Sequence, residues 1–372
     1  MRKIFIFFGI AFISLTITAQ EAYKFTTIID LDATPVISQD NTGTCWSYSA
    51  SSFLESEIIR LNGKQVDISE MYNVRNTYPV KADNYVMRQG KAQFSQGGLA
   101  HDVLNSVRDF GLVPVEAYSG LFGDVTKHNH SEMVSTLTAM LESHVKNSKN
   151  LSPKWKETFS ATLDVYLGKN VTNFTYDGTK YTPLEFAKAL KINTDNYVTI
   201  TSFTQAPFYT SFILNIPDNF SNGSFYNVPI DDLVSIIDNA LGNGYSVAID
   251  CDVSERTFSS KDGVAVIPSN KLNNAKALQS IYPEKEITQD YRQQEFENFN
   301  TTDDHLMHIT GIVEDQDGNT YYMVKNSWGT DPERTTHNGY VYFSEAYLRL
   351  KTISITLHKD GVTNNVSSKL GF

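Results

Sequence analysis

The stretch Gln39-Asp40-Asn41-Thr42-Gly43-Thr44-Cys45-Trp46 constrains the fold more than any other part of the chain. After it, Trp46, Ala50, Phe53, Leu54, Ile58 and Leu61 recur at the i, i+3/i+4 spacing of an amphipathic helix. Gly63 follows the last of them, where a C-cap glycine belongs, and Thr44 is the candidate N-cap. Cys45 then falls in the first turn of a buried helix. Unpaired N–H groups and the dipole at a helix start favour a thiolate, the nucleophilic form of cysteine. A free cysteine is as often a small buried apolar residue. Cys45 alone leaves both roles open, and the rest of the chain decides between them.

Residues 1–19 read as a secretory signal: Arg2 and Lys3, a mostly apolar run from Ile4 to Ile17, and Ala19 before a cleavage point at Gln20. The apolar run is too short, and too interrupted by Ser and Thr, for a stable membrane span. The expectation is an exported protein, periplasmic or secreted, whose mature part begins at residue 20. Export makes the cysteine count informative. Two cysteines, Cys45 and Cys251, do not make a disulfide scaffold. A bond between them would consume the candidate nucleophile. The net charge of −11 argues against nucleic acid or an anionic membrane surface as partner.

Along the chain, Ser69 is the expected cap of a second helix in Ile68-Ser69-Glu70-Met71-Tyr72. A turn at Gly97-Gly98 leads into a helix over 100–110. Residues 120–230 are the least legible part. Helices are expected there over 131–145, 153–167 and 183–190, with a hairpin around Asp177-Gly178. Ile230–Leu241 reads as an amphipathic helix and Tyr245–Cys251 as a buried strand with Cys251 in the core. Further on, His308–Glu314 and Thr320–Asn326 flank Asp317-Gly318, a strong hairpin signal. Strands at 339–343 and 354–358 bracket a short helix over 345–350, and a polar tail over 359–372 ends Leu370-Gly371-Phe372.

A thiolate nucleophile needs an imidazole partner, a group to orient that ring, and donors for an oxyanion. In the hairpin, His305 lies 12 residues before Asp317 and Asn326 eight after Gly318. Allowing for a bulge, the two meet at the open end, where the Asn326 amide could hold the ring and Trp328 could shield the pair from water. Gln39, six residues before Cys45, could join the Cys45 N–H as an oxyanion donor. Gly97-Gly98 is either a plain turn or a place where a ligand backbone comes close. A metal reading is weak. His305 and His308 point to opposite faces of a strand, His128 and His130 stand apart from them, and no further ligands sit at familiar spacing. No metal and no cofactor are expected.

Gln39…Cys45-Trp46, Asp304-His305 and Asn326-Ser327-Trp328-Gly329 together resemble the papain superfamily of cysteine peptidases. Thr42 replaces a disulfide cysteine of that signature, and Thr44 replaces Ser or Ala. His305 follows Cys45 by 260 residues, against roughly 130–150 in papain-like enzymes. That excess, the missing disulfides and the short lead-in over 20–38 point to the bleomycin hydrolase and aminopeptidase C branch. Ile68–Tyr72, Gly97-Gly98, Cys251-Asp252-Val253 and His305-Leu306-Met307 look like local patterns of that branch. The resemblance implies an α+β, papain-like two-lobed fold with a large insertion. Its parts are a helical lobe about 35–120, the insertion about 120–230, a β-rich lobe about 230–358, and a C-terminal tail 359–372. It implies an aminopeptidase acting on peptides, with Gly97 and Gly98 binding the extended substrate backbone and the tail lying in the cleft. It also implies a homo-oligomer, hexameric as in many members. An endopeptidase with an open cleft, or an inactive peptide-binding relative, are the alternatives.

Overall fold

The computed structural model describes residues 22–147, 149 and 152–372. The expected signal segment, 1–19, lies outside the described residues. Helix α1 spans Cys45–Asn62 and is closed by Gly63, whose left-handed φ of 64° lets its N–H reach Ile59 O at 2.7 Å. Thr44 holds the N-cap position without capping: its hydroxyl bonds Thr42 Oγ1 at 2.6 Å. The expected amphipathic character is also corrected. From Cys45 to Ile58 every residue is buried, because α1 runs through the middle of the molecule. Its non-apolar faces are built of serines, small enough to let neighbours approach. They donate to surrounding carbonyls: Ser47 to Glu70 O at 2.8 Å, Ser49 to Met307 O at 2.5 Å and Ser56 to Asp32 O at 2.8 Å.

Around α1 pack α2 (Glu70–Met87), α3 (Ala100–Phe110), α4 (Ser131–Lys146), α5 (Lys154–Leu167) and α6 (Pro183–Ala189). Ser69 caps α2 as expected, its Oγ accepting the Tyr72 N–H at 3.0 Å. Phe53, Leu54, Met71, Val103, Leu137 and Phe159 centre this core.

The second half is built on one 11-stranded sheet. It contains β1 (Thr26–Asp30), with β2 (Phe174–Tyr176) and β3 (Thr179–Tyr181) standing apart as the expected hairpin. β4 (Tyr197–Thr201), β5 (Ser211–Ile213) and β6 (Ser224–Asn227) form one end of it. β7 (Val247–Cys251), β8 (Phe258–Ser259), β9 (Val264–Ala265), β10 (His305–Glu314), β11 (Thr320–Lys325), β12 (Tyr340–Ser344) and β13 (Thr352–His358) complete it. The order is β5-β6-β4-β13-β7-β10-β11-β12-β9-β8, with β1 on β10. Helix α7 (Ile230–Gly242) covers one face with Leu233, Ile236 and Ile237, over Ile249, Met307 and Ile355. Short α8 (Asn274–Ala277), α9 (Gln289–Glu297) and α10 (Glu345–Lys351) lie around the sheet, and α11 (Asn364–Leu370) follows β13.

The expected insertion divides between both halves. Its helices enlarge the helical core, while β4 extends the sheet by pairing antiparallel with β13. The tail is helical, and Val366 and Leu370 enter the core under α7 while the Phe372 ring meets Tyr226 edge-on at 4.7 Å. These contacts run to the far side of the sheet rather than to Gly97 or Gly98, which corrects the expectation of a tail in the cleft.

Candidate active site

Parity along β7 and β10 decides which side chains meet α1. Val247, Ile249 and Cys251 enter the core under α7, while Ala248 joins the helical core. Asp250, of the same parity as Ala248, faces the helical side opposite Leu306. Cys251 is wholly buried, with Sγ 3.6 Å from His305 O, and both cysteines are free. The Ser49–Met307 bond and a 2.9 Å contact between Ser52 Oγ and His308 Nδ1 pin α1 across β10. Cys45, at the first helical position, thereby comes within reach of the Leu306 N–H.

The hairpin turns at Gly318, with a register shift between Ile309 and Gly311. The shift brings the Asn326 side chain to His305, whose Nε2 lies 2.8 Å from Asn326 Oδ1. Trp328 lies over the ring, its centroid 4.8 Å away. Gln39 is anchored to the same segment: its N–H bonds Ser327 O at 2.9 Å and its Oε1 accepts from Ser327 Oγ at 2.6 Å. Its Nε2 donates to Thr42 O at 2.6 Å, which leaves one amide hydrogen. So Gln39, His305, Asn326 and Trp328 gather around the 326–328 segment, and Cys45 stands at the N–H of Leu306, the residue after His305. His308 points to Ser52 rather than to the Asn326 side.

Gly97 and Gly98 lie on the opposite lip. The Trp46 indole ties this segment to α1 through a 2.9 Å bond to Gln96 O. Gly98 packs on the Trp46 ring, where a Cβ would come to 3.1 Å. Gly97 is not open as expected. Its carbonyl accepts from Lys81 Nζ, and a Cβ on it would meet Asp218 Oδ2 at 1.9 Å. Asp218, Asp250, Asp303 and Lys81 were not read from the sequence. The visible signal for Asp250 is a carboxylate inside the apolar run Val247–Cys251.

Electrostatics favour a neutral Cys45 thiol and a neutral His305 imidazole. Burial pushes the Cys45 thiol up to about 12; the Leu306 N–H opposes this, and Asp218, Asp303 and Asp250 add to it. Burial outweighs the helix-start effect expected to favour a thiolate. Burial likewise lowers His305 to about 4, against the Asn326 bond. Deeper in, the buried Glu55 and Glu70 and the exposed Asp67 form an acidic group, and the Lys325 ammonium stands among them, bonding Thr34 Oγ1 and Ser52 Oγ at 2.9 and 2.7 Å.

A model of the Peptidase C1-like family matches residues 9–371. The chain belongs to that family. It is 24% identical to cysteine proteinase 1, mitochondrial, of Saccharomyces cerevisiae, an alignment covering 94% of this chain and 80% of the relative. It is 23% identical to aminopeptidase C of Lactococcus lactis subsp. cremoris, covering 89% and 82%. A crystal structure of PepW from Lactobacillus rhamnosis has the same fold, with a TM-score of 0.74 at 18% identity, covering 93% of this chain and 84% of that one. The protein is thus a cysteine peptidase of the papain superfamily, in the bleomycin hydrolase and aminopeptidase C branch. Among the described residues of this peptidase, no helix is long and apolar enough to cross a membrane.

Proposed function

We propose that this peptidase is an exported cysteine aminopeptidase that removes N-terminal residues from peptides through an acyl-enzyme on Cys45. The observation that carries the reading is the 2.8 Å contact of His305 Nε2 with Asn326 Oδ1, beside the start of α1. Nε2–H donates to the amide oxygen, so Nδ1 is the basic nitrogen left for the thiol. Burial keeps the proton on sulfur before the attack. As Sγ bonds to the substrate carbonyl carbon, the proton passes to Nδ1 and the carbonyl π electrons move to oxygen. That oxyanion meets the Cys45 N–H, which has no intrahelical acceptor, and the remaining amide hydrogen of Gln39. When the C–N bond breaks, His305 returns the proton to the leaving amine. Water, deprotonated by His305, then hydrolyses the thioester and restores the thiol. Trp328 keeps bulk water from the His305–Asn326 pair.

The aminopeptidase reading is supported by the named relative from Lactococcus lactis. Export is supported by Arg2, Lys3, the apolar run to Ile17 and Ala19, and predicts a mature chain whose mass begins at Gln20. The test of activity is a mass-spectrometric time course on an unblocked peptide and its N-acetylated twin. Stepwise loss of N-terminal residues from the unblocked peptide alone is expected, with none for Cys45→Ala and retained turnover for Cys251→Ala. Unchanged turnover in Cys45→Ala would end the mechanism, and internal cutting of both twins would end the aminopeptidase reading.

A further inference from the structure

The loop 214–223 crosses the cleft at its Gly97 end. Asn219 staples the two ends of the loop: Nδ2 donates to Leu214 O at 2.9 Å and Gly223 O at 3.0 Å, and Oδ1 accepts the Gly223 N–H at 2.7 Å. On the helical lip, His101 Nε2 bonds Ser221 Oγ at 2.8 Å and Gln93 Nε2 donates to Asp218 Oδ1 at 2.9 Å. The Asp218 carboxylate fills the space over Gly97. On the sheet lip, the Asp218 N–H turns to the Asp303 carboxyl. The loop therefore straps both lips together on one side of Cys45. On the other side, past Trp328, a groove of about 670 Å³ lies open, lined by Asp40, Asn41, His128 and Arg334.

Behind the strap stands Asp250, 2% exposed and facing the helical side beside Leu306. The Asp250 and Asp303 carboxyls hydrogen-bond to each other, and no other donor reaches the Asp250 oxygens or Oδ2 of Asp303. Two carboxyls this close cannot both ionise without like-charge repulsion, and a cation placed beside them would remove that cost. Burial raises Asp250 well above the usual carboxyl range and Asp303 to about 7. Lys81, the cation in this wall, gives a hydrogen to Gly97 O. What the pair lacks is a compact donor with positive charge, and a primary ammonium carries three N–H donors.

We infer that Asp250 and Asp303 receive the α-ammonium of the substrate, and that the strap stapled by Asn219, not the C-terminal tail, closes the cleft to longer chains. This rests on the aminopeptidase reading. It explains why three carboxylates surround a thiol whose ionisation they oppose: a bound ammonium offsets their field at Cys45 when substrate is present.

Steady-state kinetics of the full chain on the unblocked peptide and its N-acetylated twin test the receptor. Asp250→Asn and Asp303→Asn are expected to lower kcat/KM on the unblocked peptide by about 10–100-fold, mainly through KM, with the acetylated twin still uncut. Asn219→Ala, which unfastens the strap, is expected to let the acetylated twin in and be cut internally. Thermal unfolding shows whether each variant folds, and the less buried Asp303→Asn carries the test if Asp250→Asn does not. An unchanged kcat/KM on the unblocked peptide in folded Asp303→Asn overturns the receptor while the aminopeptidase reading stands. An unaltered enzyme that cuts both twins alike overturns that reading itself.

Discussion

His305 and His308 lie three residues apart on β10, and strand parity gives them unlike surroundings. His305 meets Asn326 and Trp328. His308 is fully buried against Ser52, with the Phe53 ring 6.1 Å away. His305→Ala is expected to remove turnover as completely as Cys45→Ala, with little change in stability. His308→Ala should keep activity per folded molecule but lose about 2–4 kcal/mol, from the cavity and the acceptor lost to the Ser52 hydroxyl hydrogen. Denaturant unfolding with active-site titration separates the two, and a His308→Ala enzyme that is stable and inactive would reverse the assignment. Asn326→Ala is expected to act partially, since Asn326 only orients the ring, and Gln39→Ala to lower kcat by about 10²–10³. These residues were legible in the sequence because each sits in a short motif at fixed distance from a turn or helix start. Asp218, Asp250 and Asp303 were not, because their proximity depends on a loop folding back over 120 residues to Gly97.

Helix α1 shows why apolar periodicity located an element but misjudged its surroundings. The apolar stripe is real, yet the serine faces are buried too, because hydroxyls hydrogen-bond to the carbonyls of flanking segments and need no water. Two of these serines make a clean comparison. Ser49 donates to Met307 O across the α1–β10 contact, whereas the buried Ser51 hydroxyl has no partner. Ser49→Ala should cost about 1 kcal/mol, and Ser51→Ala should be neutral or stabilising. Urea midpoints at constant m-value measure both; equal losses would mean that helix packing, not hydroxyl pairing, sets the cost. Helices α3 to α7 and the two hairpins were legible from periodicity and turn residues. Strands β4, β5 and β6 were not, because they are short and find partners only across the sheet, β4 against β13 some 150 residues later.

At the scale of the whole molecule, two large cores share the sheet with a small third one around Val313 and Tyr321; one is centred on α1 and the other lies under α7, and the site lies where α1 meets the helical face of β7 and β10. The tail belongs to the second core. Val366 is buried under α7, Lys369 Nζ lies 4.2 Å from the Tyr209 ring centroid, and Phe372 packs on Tyr226. Both tyrosines flank the β5–β6 edge, so the tail holds the end of the sheet from which the strap departs. Deleting residues 364–372 removes one fully and one partly buried aliphatic side chain. At about 1.5–3 kcal/mol for a fully buried one, a loss of about 2–4 kcal/mol is expected, read as a lower unfolding midpoint. Preference for the unblocked peptide should persist in the folded fraction, because the strap remains stapled by Asn219 and fastened to His101 and Gln93. A truncated enzyme of undiminished stability that cuts the acetylated peptide internally would return the gate to the tail.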